Sequence, residues 1–72
     1  MNKIKFGKYI KSLRLQKNWS QEGLSKEIKE QTGKSINRTY ISRVENGKHD
    51  ISIELASVFL SVFGEQITFL KL

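Results

Sequence analysis

The segment from Ile36 to Gly47 carries both a start and a stop for a helix. Asn37 can accept a backbone N–H as an N-cap. Ile36 stands just outside that cap and Ile41 at the fourth helical position, the pair a hydrophobic staple requires. Gly47 tolerates the left-handed conformation that closes a helix. Between these ends only Ile41 and Val44 are aliphatic, three residues apart, so one narrow face is buried. Arg38, Thr39, Ser42 and Arg43 then look outward. The segment reads as a short helix braced from behind, with a polar front free to enter a groove.

The rest of the chain supplies the brace. In residues 1–18, Phe6, Ile10 and Leu13 fall at helical spacing and define a buried stripe, with Lys8, Lys11 and Lys17 on other faces. Arg14 adjoins the stripe and leans inward. Ser20 is the next N-cap, and Gly23 stands where a full capping box would place Glu or Gln. Leu24 and Ile28 face the core from a second helix that runs to about Gln31, with a turn over Thr32, Gly33, Lys34 and Ser35. Trp19 is a core plug. Lys48, His49 and Asp50 form a loop, and His49 is a plain loop histidine. Ser52 caps a fourth helix with Glu54 in its favourable first turn. Leu55, Ala56, Val58, Phe59, Val62 and Phe63 cover more than half its circumference, and Gly64 ends it.

The period then changes. In residues 66–72, Ile67 and Phe69 alternate with Thr68, and β-branched and aromatic residues cluster. This reads as a strand. A lone strand needs a partner for its backbone groups, and the same strand of a second copy across a two-fold axis is the economical one. The alternative is a short fifth helix packing Ile67 and Leu70 on the core. The expected fold is all-α, a compact bundle of four main helices over residues 1–64, with a strand-forming dimerisation tail over 65–72.

Charge placement narrows the partners. Residues 1–48 hold twelve Lys/Arg against four Glu, and residues 49–72 hold one Lys against three acids, for a formal net charge of +6. A basic portion with an acidic tail is expected of a polyanion binder, although a solvated basic surface would look the same. The chain has no cysteine and one histidine, so no metal site or cofactor is expected. No apolar run spans a bilayer, and the amphipathic first helix is needed by the core rather than by a membrane surface. A cytoplasmic, nucleoid-associated location follows as the expectation. No nucleophile–base pair, paired catalytic carboxylates or glycine-rich phosphate loop appears, so the chain is not expected to be an enzyme.

The residues Ser20 to Leu24, Tyr40 to Lys48 and Ser52 to Leu55 together resemble the helix-turn-helix domain of the lambda repressor/Cro (XRE) family. The likeness covers about residues 6–64 and is most specific in the tyrosine-to-lysine string. It implies a lambda-repressor-like bundle whose second and third helices bind double-stranded DNA. It implies that Arg38, Thr39 and Arg43 read base edges. Gln21, Tyr40, Ser42, Asn46 and Lys48 are assigned to phosphates, and Arg14 and Glu45 to a partly buried structural ion pair. One departure is the spacing between Ile28 and Ile36, about two helical turns longer than the family pattern. A longer second helix and a protruding turn are expected, its lysines either reaching phosphate or simply solvated. Gly64 to Leu70 resembles the strand-forming tail of HipB-type antitoxins, which implies dimerisation through Ile67 and Phe69 and a kinase-like protein toxin as a second partner.

The residue types fit that role. Arginine offers a bidentate fork to guanine O6 and N7, and threonine can donate, accept or meet a thymine methyl. Lysines and helix starts bind phosphate and fix register. The expected activity is repression by a homodimer on a palindromic operator. The alternative is a protein-interaction module that neutralises a partner without specific DNA binding.

Overall fold

A computed structural model describes residues 2–64. The described residues contain four helices joined by turns and loops: α1 Lys3–Gln16, α2 Gln21–Thr32, α3 Arg38–Glu45 and α4 Ile53–Ser61. The chain is all-helical over this range. The strand expected over 66–72, with Ile67 and Phe69 pairing across a dimer, lies outside the described residues.

Each helix starts on a polar cap. The Ser20 hydroxyl accepts from Gly23 N at 2.9 Å, the Asn37 side chain from Tyr40 N at 2.8 Å, and the Ser52 hydroxyl from Leu55 N at 3.1 Å. Each bond satisfies a backbone donor that the helix itself cannot. Asn2 does the same for α1, accepting from Ile4 N and Lys5 N. The end of α3 is a Schellman closure. Gly47 takes φ +69°, its N–H bonds Val44 O at 3.0 Å, and Lys48 N–H bonds Arg43 O at 2.9 Å.

The core is one cluster. Phe6 and Ile10 of α1, Leu24 and Ile28 of α2, Ile41 and Val44 of α3, and Ala56, Phe59 and Leu60 of α4 are nearly or fully buried, with Ile36 and Val62 at its edge. Each large side chain removed from water contributes about 1.5–3 kcal/mol. Phe6 and Phe59 meet edge to face at 6.2 Å, an arrangement the ring quadrupoles favour. Trp19 is half-buried and packs on Phe63 at 5.6 Å. Val62 and Phe63 lie past the end of α4, in a tightened turn where Phe63 N bonds Leu60 O and Gly64 N bonds Ser61 O.

Close approach of α1 to α3 depends on Gly7. A Cβ there would sit 2.2 Å from the Val44 carbonyl oxygen and 2.9 Å from that of Glu45. The end of α3 thus lies against the backbone of α1.

The long second helix is present. It continues to Thr32, and Gly33 caps it with its N–H on Lys29 O at 3.0 Å. Lys29 Nζ also donates to Gly33 O at 3.3 Å. The chain then returns through residues 34–37 to the start of α3. The Ser25 hydroxyl on α2 donates to Ile36 O, which pins the entry to α3.

Candidate nucleic-acid interface

The back of α3 is sealed by Ile41, Val44 and Glu45, all buried. Its eight residues leave Arg38, Thr39 and Arg43 exposed and Ser42 half-buried. Gln21, the first residue of α2, joins them: Gln21, Arg38, Thr39, Ser42 and Arg43 line one open depression of about 390 Å³. The surface therefore combines one helix start with one polar helix face, and it presents two guanidinium groups.

A buried ion pair fixes these two helices. Arg14 of α1 donates from Nε to Glu45 Oε2 at 2.7 Å and from Nη2 to Glu45 Oε1 at 3.0 Å. Its Nη1 donates to the Trp19 carbonyl at 2.8 Å, just before the cap of α2. Gln21 Nε2 donates to Glu45 Oε1 at 3.1 Å. One carboxylate thus gathers α1, the start of α2 and the end of α3. The Arg14 and Glu45 side chains are only 9% and 2% exposed. A buried charge left without its partners would be costly, and here each is met. No buried side-chain polar atom among the described residues lacks a partner. The Gln21 amide carries a second N–H besides the one bonded to Glu45.

Tyr40, Asn46 and Lys48 lie outside the depression. Asn46 Nδ2 reaches Ser42 Oγ at 3.4 Å, and the Lys48 side chain is exposed just past α3. The Tyr40 ring sits on the opposite flank, in a groove with Ile36, Asn37, Ser52, Leu55 and Val58. It rests on the His49 ring with centroids 4.4 Å apart. His49 Nδ1 lies 2.6 Å from Asp50 O and 3.4 Å from the Tyr40 hydroxyl. Burial pushes the Tyr40 phenol above its ordinary value. No local sequence signal announces this tilted packing of the His49 ring on Tyr40.

Glu22 also borders the site. Its Oε1 stands 3.9 Å from Arg38 Nε, both side chains being well exposed. Nothing local links positions 22 and 38. Only the packing angle between α2 and α3 does.

Among the described residues no group of His, Asp and Glu is arranged to hold a metal ion. None of their helices is long and apolar enough to cross a membrane. No curated protein and no solved structure matches the chain. A family model described as helix-turn-helix matches residues 10–70, most of the chain. The chain therefore belongs to the helix-turn-helix family of the lambda repressor/Cro (XRE) type, regulators of transcription that bind double-stranded DNA.

Proposed function

We propose that the protein is a sequence-specific repressor that binds a palindromic operator as a homodimer. Arg38, Thr39 and Arg43 read base edges in the major groove. Gln21, Ser42, Asn46 and Lys48 hold phosphates on either side, and Tyr40 serves from the flank of α3. The observation that supports this reading is the shared depression of Gln21, Arg38, Thr39, Ser42 and Arg43, where the start of α2 adjoins the exposed polar side chains of α3, an arrangement suited to holding phosphate beside a base edge. The charge of +6 supplies the attraction that is blind to sequence. Occupied half-sites about 34 Å apart, or a multiple of that, then exclude polymerase.

Selection of bound duplex from a random pool tests the proposal. A palindromic consensus bound far more tightly than random duplex at physiological salt is expected. Equal affinity for both would refute it. The likeness of Gly64 to Leu70 to the HipB-type tail supports a second role as the antitoxin of a kinase-like protein toxin. Co-purification with the product of an adjacent gene tests that role, and a gene standing alone counts against it.

A further inference from the structure

Glu22 is an electrostatic oddity. It is 77% exposed at the start of α2, next to Gln21, where a DNA phosphate is expected to sit. A carboxylate there repels the polyanion that the rest of the surface attracts. The α2 dipole favours an acid in its first turn, but any first-turn position serves that purpose. What singles out position 22 is its neighbour. The Gln21 amide donates to Glu45 at 3.1 Å, while the Glu22 carboxylate stands 3.9 Å from Arg38.

Glu22 Oε1 approaches Arg38 at Nε, 3.9 Å away, an ion-pair contact longer than a hydrogen bond, and it engages Nε rather than the terminal Nη1 and Nη2. Those two nitrogens are the donors that pair with guanine O6 and N7. An unrestrained arginine loses rotamer freedom when it docks, and one already held loses less.

We propose that Glu22 is a positioning residue for base readout: its carboxylate aims the Arg38 guanidinium into the groove, and its charge weakens binding to duplex in general. The first effect raises the preference for the right base, and the second lowers affinity for every duplex alike without altering that preference. The proposal rests on the base-reading role proposed for Arg38. The pair is exposed and adds little to folding, so its consequence lies in specificity.

The test is a cycle of Glu22→Gln, Arg38→Ala and the double variant on the selected operator, its single base-pair variants and random duplex. Thermal melts establish that each variant folds. Glu22→Gln should tighten binding to random duplex. It should also lower the preference at one base pair by roughly two- to fivefold, the scale of an exposed ion pair. That base pair should be the one Arg38→Ala relaxes, and the double variant should lose no more preference there than Arg38→Ala alone. Uniform tightening with unchanged preference would overturn the proposal and leave Glu22 a mere repulsive charge. A preference loss that persists in the Arg38→Ala background would also overturn it, since Glu22 would then read a base itself. If Arg38→Ala relaxes no position, the base-reading role of Arg38 fails first and the proposal fails with it.

Discussion

The backbone of Gly7 lies so close to Val44 that a single methyl group at position 7 would fall 2.2 Å from the Val44 carbonyl oxygen. This is the seat on which α3 rests. The obstacle is backbone within the last turn of a helix, not the end of a flexible side chain, so relief requires α1 and α3 to move apart. Gly7→Ala should therefore destabilise the domain although alanine is the better helix former. Overpacking of this kind costs about 1–3 kcal/mol, and each kcal/mol lowers the melting temperature of so small a domain by about 4–8 °C. Urea titration and a thermal melt check the loss. A variant as stable as the parent would mean the helices separate freely.

Arg14 and Glu45 make a different prediction. The pair is buried and fully hydrogen-bonded, so removing one partner leaves a charge in a poor solvent. Arg14→Ala or Glu45→Ala should cost about 3–5 kcal/mol, a large fraction of the total for any domain of this size. Replacing both with methionine should cost less than either single change, because no charge is then stranded. Denaturant midpoints for the two single variants and the double variant decide this. Additive losses would show that packing, not charge, sets the cost.

Local chemistry made much of this fold legible in the sequence. Ser20, Asn37 and Ser52 announce helix starts because a short polar side chain satisfies N–H groups two or three residues away. Gly47 announces a stop because few other residues take positive φ. Asn2 and Asn18 carry the same kind of signal for α1, the first as its cap and the second at φ +60° just beyond its end. Leu60 of α4 is fully buried and joins the core residues expected from the sequence. The demand on Gly7 is another matter. It arises from how near two helices pass, which no window of neighbouring residues reports. The same holds for the candidate site. The outward set on α3 follows from the narrow stripe of Ile41 and Val44, whereas the contact of Glu22 with Arg38 depends on the angle between α2 and α3, and that of His49 with Tyr40 on how the loop after α3 folds back.

Tyr40 supplies a pH dependence. Burial penalises its phenolate, so its native value lies above the ordinary one. The unfolded chain ionises first, near pH 10. Above that pH the unfolded state holds fewer protons than the native state, and stability falls as pH rises. The contribution is intact below about pH 10 and is lost as pH climbs through the native value. Tyr40→Phe should therefore show a shallower alkaline loss of stability than the parent chain. Urea midpoints measured at steps from about pH 8 to about pH 11 compare the two. Parallel curves would mean that burial of the ring does not reach its hydroxyl.

Arg43 and Lys48 separate reading from holding. Both are exposed, and they stand at the two ends of one hydrogen bond: Lys48 N–H donates to Arg43 O at 2.9 Å, closing α3. That bond is backbone to backbone, so truncating either side chain leaves the closure in place and the fold unchanged. Any effect on DNA then comes from the side chain itself. If Arg43 pairs with a base, Arg43→Ala should cost about 1–3 kcal/mol on the selected operator and relax one position of the consensus. Lys48→Ala should weaken every sequence alike and reduce the salt dependence by about one released counterion. Titration of the operator, its single base-pair variants and random duplex at several salt concentrations distinguishes these outcomes. Equal, sequence-blind losses from both variants would remove Arg43 from base reading and leave it a second phosphate contact.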